Sequence, residues 1–160
     1  MTRRARAVVT VQNAARGAGV PKAAELKRWA LHALADDVHG ELTVRIVDER
    51  ESAELNSRYR GKTGATNVLS FSANGAGEAA HAAPGELLPF GDLVICAEVV
   101  AREAREQGKA LAAHWAHMVV HGALHLQGFD HENVRDARIM EARERELLAE
   151  LGFPDPYSLR

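Results

Sequence analysis

The stretch HWAHMVVHGALHLQGFDH, residues 114–131, contains five of the eight histidines in the chain. Residues four apart lie on one face of a helix, so a helix here would direct the imidazoles of His121 and His125 toward the same point. Gly128 follows where helices often end, because glycine adopts a left-handed backbone without a Cβ penalty. The chain can then turn back and bring His131 toward the other two. This spacing predicts a metal site made of three histidines.

The ligand set indicates the kind of metal site. Three neutral imidazoles without a fourth protein ligand leave one coordination position open, which is typical of a catalytic zinc and not of a closed structural one. Calcium and magnesium prefer oxygen ligands, so we expect one tightly bound Zn²⁺ per chain. Nickel or copper could occupy the same nitrogens in a recombinant preparation.

Three further polar residues accompany the triplet in the sequence. His114 and His117 continue the helical stripe toward the N-terminus. Because the triplet already fills three zinc positions, we interpret them as residues behind the ligands or on the surface. Asp130 precedes the last histidine, and we interpret it as a cap or as a hydrogen-bonding partner of a ligand imidazole.

The spacing of the triplet is also that of metzincin proteases. Those enzymes carry glutamate directly after the first histidine as the general base. In this chain that position is Gly122. The zinc helix is therefore metzincin-like in its ligands, but a peptidase interpretation lacks its base.

The flanking sequence alternates between short β-branched runs and longer amphipathic segments, which predicts an α+β fold. We expect strands at residues 7–11, 42–48, 68–71 and 91–96. We expect helices between Pro21 and Gly40, from Asp48 as N-cap to about Tyr59, and at residues 97–107, 111–127 and 133–150. The prediction is a single domain, residues 1–160, with one mixed four-stranded sheet packed with about five helices. Residues 73–89 concentrate Gly, Ala and Pro, so we expect a mobile insertion loop there.

The composition indicates an ordinary core and a nearly neutral chain. Of 160 residues, 46% are hydrophobic, and 20 basic side chains stand against 22 acidic ones, for a net charge of −2. A generally cationic polymer binder is excluded, so a local patch must hold any polyanion. Cys96 is the only cysteine, which excludes an internal disulfide and favours a reducing compartment. The apolar run AVVTV, residues 7–11, is too short for a signal peptide or a membrane span, so we expect a cytoplasmic protein without a membrane partner.

A local basic patch occurs in RYRGK, residues 58–62, where Arg58, Arg60 and Lys62 lie close together. Composition leaves open that this is only a solvated charged loop. The overlapping GKT is not a phosphate-binding P-loop, because Asn56 stands where that motif needs glycine. If the fold carries this loop to the metal, an arginine fork could hold a phosphate by two hydrogen bonds while the zinc takes another oxygen. The predicted substrate is then an anion.

Taken together, these motifs resemble the YbeY family of bacterial endoribonucleases, which are also described as ribosomal RNA maturation factors. The resemblance rests on LNSRYRGKTGATNVLSF, GDLVICAEVV and a C-terminal DPY. Its most specific part is the family pattern H-G-x-L-H-L-x-G-[YF]-D-H, which residues 121–131 match at every fixed position. The resemblance implies that His121, His125 and His131 bind zinc and that Arg60 is the functional arginine.

The same resemblance implies a function. A family member cleaves single-stranded RNA in a metal-dependent reaction, which serves 3′-end maturation of the small-subunit ribosomal RNA and ribosome quality control. The implied partners are ribosomal RNA, the small ribosomal subunit and ribosome-assembly proteins, with Arg58, Arg60 and Lys62 as the RNA-binding residues. Departures are small: Ser72 stands where many relatives have proline, and Asn67 where some have aspartate.

Three functions remain open from the residues themselves. In an endoribonuclease, a zinc ion held through His121 lowers the pKa of its water to about 7 and so supplies the nucleophile, while Arg60 neutralises charge in the transition state. Asp92, Asp130 and Glu132 are then candidates for proton handling. In a non-catalytic assembly factor, zinc fastens the fold and the basic loop holds ribosomal RNA. A metallopeptidase is the third function, and the missing glutamate counts against it.

Overall fold

A four-stranded mixed sheet forms the centre of the computed structural model, which describes residues 7–15, 17, 19–73 and 88–158. Its strands are β1 (Ala7–Asn13), β2 (Gly40–Val47), β3 (Val68–Ser72) and β4 (Pro89–Cys96). They lie in the order β1-β2-β4-β3. The first three in this order are parallel, and β3 runs antiparallel to β4 at the edge.

Five helices pack on this sheet within the described ranges: α1 (Ala23–Ala33), α2 (Glu49–Arg60), α3 (Ala97–Gln107), α4 (Leu111–Leu126) and α5 (Val134–Glu150). The predicted α+β class, a single domain with one mixed four-stranded sheet and about five helices, is confirmed. Some element boundaries differ by a few residues from those predicted. Pro21 lies before α1 and not in its first turn, because the N-cap is Lys22 in an extended conformation.

The two faces of the sheet are covered by different helices. Strand side chains alternate between faces, so Leu42, Val44 and Ile46 enter the larger core with Trp29 of α1 and Trp115 of α4. The opposite face carries a smaller cluster with α2 and α3, whose buried members are Val47, Leu69, Val94, Cys96 and Val99. Each such side chain contributes roughly 1.5–3 kcal/mol by leaving water. Helix α4, which carries the histidines, is therefore fixed against the sheet by the larger core.

The predicted helix ends are confirmed. Asp48 caps α2, since its Oδ1 accepts from the backbone N–H of Glu51 at 2.9 Å. Gly108 ends α3 with φ 64°, and Gly128 follows α4 with φ 95°, both in the left-handed region that favours glycine. The turn after α4 is short, because Asn133 already caps α5 by accepting from Asp136 N–H at 2.9 Å.

The loop predicted at residues 73–89 falls largely outside the described residues, which omit 74–87. Strand β4 begins at Pro89, two residues earlier than predicted. The reason is a bulge between Glu41 and Leu42, which lets Pro89 pair with Glu41 while Gly91 pairs with Leu42. None of the helices in the described ranges is long and apolar enough to cross a membrane.

Candidate functional site

The three predicted metal ligands lie together at the end of α4. His121 and His125 occupy its last two turns, and the turn that starts at Gly128 brings back His131. Ligand atoms of the three imidazoles all lie within 4.8 Å of one another. The ring centroids are 4.6 Å apart for His121 and His125, 4.8 Å for His125 and His131, and 5.6 Å for His121 and His131.

Hydrogen bonds set the orientation of two of these rings. His125 Nδ1 donates to the backbone oxygen of Phe129 at 3.0 Å, and His121 Nδ1 donates to the Glu144 carboxylate at 2.9 Å. Both acceptors require a proton on Nδ1, so the lone pair lies on Nε2 of each ring. Burial lowers the pKa of His125, and the neighbouring His121 and His131 lower it further. Neutral imidazoles are the form that binds metal, so this donor set fits a divalent transition metal.

The residue after the first ligand is packed against the sheet. A Cβ placed on Gly122 would lie 2.7 Å from Leu93 Cδ2 of β4 and 3.2 Å from Val68 Cγ2 of β3. A side chain here would therefore force the buried Leu93 side chain, or α4 itself, to shift. Packing against Leu93 therefore disfavours a metzincin-type glutamate at this position.

A cavity of about 810 Å³ opens beside the triplet. One wall is the end of α4 with the following turn, and the other is β3 with the end of α2. Arg60 and Lys62 line it, while Arg58 is not among the lining residues and instead holds its guanidinium 5.6 Å from the ring of Tyr59. The structure thus brings two of the three predicted cations to the histidines.

A hydrogen bond to the backbone of β3 holds the Arg60 side chain at that wall of the cavity. Its Nη2 donates to the backbone oxygen of Ser70 at 3.2 Å, and Ser70 Oγ donates to the backbone oxygen of Gly122 at 3.3 Å. Gly61 ends α2 with φ 65°, which turns the chain toward Lys62. Hydrogen bonds to Ser70 of β3 therefore connect Arg60 of the basic loop with α4.

The charges of the described lining residues balance without a metal. Arg60 and Lys62 are opposed by the carboxylates of Asp130 and Glu132. Because the histidines are neutral ligands, a bound divalent ion would give the cavity its net positive charge. An anion should bind best after the metal does.

The predicted proton-handling residues separate into two groups. Asp130 and Glu132 line the cavity, and Asp130 Oδ1 accepts from the backbone N–H of His131 at 2.7 Å, which fixes the turn that carries this ligand. Asp92 does not line it. Leu93, its neighbour on β4, belongs to the core under α4, so strand alternation directs Asp92 to the other face. Burial and the nearby Glu41 raise the pKa of Asp92, but away from the site.

A buried carboxylate lies behind His121. Glu144 of α5 is 1% exposed, and its Oε2 accepts from His117 Nε2 and His121 Nδ1, each at 2.9 Å. Its Oε1 accepts from the Tyr157 hydroxyl at 2.5 Å. Burial raises the pKa of Glu144, but the donors, His117 and His121 first, outweigh burial and lower the pKa to about 2. Burial also lowers the pKa of His117 and raises that of Tyr157, so the carboxylate carries the charge of this cluster.

His114 belongs to a separate pair. Its Nε2 lies 2.9 Å from Glu103 Oε1 of α3, and Asn67 Nδ2 donates to both oxygens of Glu103 at 3.1 and 3.2 Å. His114 and His117 are only 3% and 7% exposed, so the surface alternative for these two residues is wrong. Asn67 lines the cavity, and an aspartate there could not donate to Glu103.

Sequence reasoning missed Glu144 and Tyr157. A signal was available for the first, because Glu144 lies four residues after Met140 and three before Leu147, on the stripe that α5 buries. A carboxylate on a buried stripe requires a hydrogen-bonding partner. Tyr157 belongs to the DPY tripeptide, but nothing in the sequence connects this tripeptide to the histidines.

Known proteins are similar to this chain in sequence and in fold. The model of a family described as endoribonuclease YbeY matches residues 11–152. Proteins named endoribonuclease YbeY are similar over most of the chain: that of Xanthomonas axonopodis pv. citri is 53% identical, with 94% of this chain and 92% of that protein covered. That of Methylococcus capsulatus is 55% identical, with 93% and 94% covered. The solution structure of TM1509 from Thermotoga maritima has the same fold, with a TM-score of 0.51, 22% identity, and 94% of this chain and 99% of that one covered.

Proposed function

The chain belongs to the YbeY family of endoribonucleases, and we propose that it is a zinc-dependent enzyme that hydrolyses phosphodiester bonds in single-stranded RNA. The observation that carries this proposal is the cavity in which three convergent imidazoles face Arg60 and Lys62. Nitrogen ligands suit a transition metal, and guanidinium and ammonium groups suit phosphate.

The residues would divide the work as follows. His121, His125 and His131 would hold the zinc ion, which when bound supplies a Lewis acid and a nucleophile active near neutral pH. Arg60, whose guanidinium is bound to the backbone oxygen of Ser70, would hold the phosphate and stabilise the charge that grows on it in the transition state. Asp130 and Glu132 are the carboxylates of the cavity that could accept or return a proton.

The shape of the site supports a single strand as substrate. A cavity of about 810 Å³ is in the size range of small-molecule sites, so it suits a nucleotide or two and not a duplex. Aromatic residues make up only 5% of the chain, so binding should depend on phosphate contacts more than on base stacking and should weaken as salt rises.

We further propose that residues 1–160 form one endoribonuclease domain, with small-subunit ribosomal RNA as its substrate. The expected roles are 3′-end maturation and ribosome quality control, in contact with the small subunit and ribosome-assembly proteins. The family resemblance supports these assignments, and the single cysteine supports the cytoplasm as the compartment.

A cleavage assay with metal removal and return tests this function. Single-stranded RNA should be cut by the zinc-loaded protein, spared after treatment with a chelator, and cut again when zinc is restored, while a duplex of the same sequence stays intact. His121→Ala should lose both zinc and cleavage and keep a folded circular dichroism spectrum. A zinc-loaded protein that cuts no RNA would contradict the proposed endoribonuclease activity. Loss of the fold in His121→Ala would favour the alternative in which the protein is a non-catalytic assembly factor.

A further inference from the structure

The Glu144 carboxylate connects the metal helix to two other parts of the molecule. It belongs to α5, it accepts from His117 and His121 of α4, and it accepts from Tyr157 in the segment after α5. These partners are 27, 23 and 13 residues away in the sequence. The proposed catalytic groups do not include this carboxylate, so its place behind a ligand needs another explanation.

The C-terminal segment is built to hold Tyr157 in place. Asp155 Oδ1 accepts from the backbone N–H of Tyr157 at 2.8 Å, and Arg145 Nε donates to both oxygens of Asp155 at 3.2 and 3.1 Å. The guanidinium of Arg145 also lies 5.2 Å from the Tyr157 ring centroid. Earlier in the segment, Phe153 packs edge-on against Trp29 at 5.5 Å. The hydroxyl is therefore delivered to Glu144 by a fixed piece of backbone.

The donors leave Glu144 little freedom. Oε1 is held by the Tyr157 hydroxyl, and Oε2 takes two imidazole N–H groups, so rotation of the carboxylate would break all three bonds. An ionised carboxylate can only accept, which fixes the proton of His121 on Nδ1 and leaves Nε2 for a metal. A carboxylate behind a ligand imidazole also raises the basicity of that ligand.

We propose that Glu144 is a positioning residue of the metal site, which holds His121 in the orientation and tautomer that bind metal, and that Tyr157 of the C-terminal segment locks Glu144 in turn. The proposal rests on the proposed metal-binding role of His121. It gives the DPY tripeptide a function: through Asp155 and Tyr157, the end of the chain completes the support of a ligand on α4.

Zinc affinity of Glu144→Gln is the first test, measured by competition with a chromophoric chelator. The amide keeps the shape but is neutral, so both imidazoles lose a charged acceptor, and its NH₂ group cannot accept from the Tyr157 hydroxyl as Oε1 does. We expect zinc affinity to fall about 10- to 100-fold, as is typical when a partner of a ligand imidazole is removed. The d–d absorption of the cobalt-substituted protein should also change, because that spectrum reports the ligand field and not the stability of the fold.

Tyr157→Phe is the second test and removes only a hydroxyl from a partly exposed side chain. Zinc affinity should fall about 2- to 10-fold, with a smaller change in the cobalt spectrum than in Glu144→Gln. Tyr59→Phe is the matched control, since Tyr59 is 57% exposed and contacts Phe71 and Arg58. It should leave zinc affinity unchanged.

Leu148→Ala distinguishes positioning from general stability. Leu148 is buried on the same helix, so its loss should lower thermal stability while the zinc affinity of the folded protein and the cobalt spectrum stay as in the wild type. Unchanged zinc affinity and cobalt spectrum in folded Glu144→Gln would overturn the proposal, and if that variant does not fold, unchanged values in Tyr157→Phe would do so. These readouts need no RNA, so a wild-type protein that binds zinc but cuts no RNA would contradict the proposed enzyme and leave this inference standing.

Discussion

Two histidine–glutamate pairs flank α4, and their local chemistry is nearly the same. His114 meets Glu103 of α3, and His117 meets Glu144 of α5, each through Nε2 at 2.9 Å. In both imidazoles Nδ1 is buried without a hydrogen-bonding partner among the residues that the structure describes. Each pair fastens α4 to a neighbouring helix.

The difference lies in what else each carboxylate holds. Both oxygens of Glu103 accept hydrogen bonds from the Asn67 side-chain amide. Asn67 directly precedes β3, the strand whose Ser70 accepts from Arg60. Glu144 instead accepts from His121, the first of the three proposed metal ligands. The first pair therefore supports the cavity wall that is proposed to hold phosphate, and the second supports the histidines that are proposed to bind metal. The remaining partners of a histidine–glutamate pair, and not the pair itself, decide which part of the cavity depends on it.

Substitution of Arg60 should give the largest effect and should separate the two sides. In Arg60→Lys the charge remains but the two-pronged guanidinium is lost, so cleavage in single-turnover assays should fall about 10²- to 10³-fold. Zinc content should not change, and RNA affinity should fall less than the rate. Arg58→Lys is the matched control, because Arg58 is not among the residues that line the cavity. Loss of zinc from Arg60→Lys would show that the two sides are not independent.

The next largest effect should be on the acid unfolding of the metal-free protein, which depends on the Glu144 carboxylate. The pKa of Glu144 is about 2 in the folded protein against an ordinary 4.5, so the unfolded chain takes up its proton first as pH falls. The stabilisation is complete above pH 4.5 and is lost between pH 4.5 and 2, by about 3 kcal/mol. Urea unfolding measured across this range should show a shallower pH dependence in Glu144→Gln. An identical dependence in that variant would contradict the assignment.

Substitution of Glu103 should have the smallest effect and keep the metal. Glu103→Gln weakens the bonds to His114 and Asn67, so the free energy of unfolding should fall by about 1–2 kcal/mol. Zinc affinity should equal that of the wild type, in contrast to Glu144→Gln. A loss of zinc affinity as large as in Glu144→Gln would mean that the two pairs do not differ in function.

Local spacing was enough to predict that the three histidines come together and where the helices end. His121 and His125 share a helix face because of their four-residue separation, and Gly128 was expected in the left-handed region where it lies. The mixed sheet and the five helices followed from periodicity over short windows. These features depend on neighbours in the chain, and the sequence displays neighbours directly.

Non-local packing decided what could not be predicted. Glu144 meets His117 only because of the angle at which α5 lies on α4, and Tyr157 meets His117 across 40 residues of chain. Asp92 was a candidate by proximity in the motif, but strand alternation turns it to the far face of the sheet. Lys62 follows the turn at Gly61 and reaches the cavity, while Arg58, two residues before Arg60 on α2, lies on another face of that helix.

The close contact of Gly122 with Leu93 also limits what this fold can become. In a protein with metzincin-like ligands, Gly122→Glu looks like a one-step route from cutting RNA to cutting peptides. Here the first carbon of the new side chain would already collide with the sheet, at 2.7 Å from Leu93 Cδ2. Space would require a rearranged or smaller side chain at Leu93 on β4, or an outward shift of α4 that would carry His121 and His125 with it. A change from glycine to glutamate therefore needs a second, compensating change in the packing between one helix and one strand.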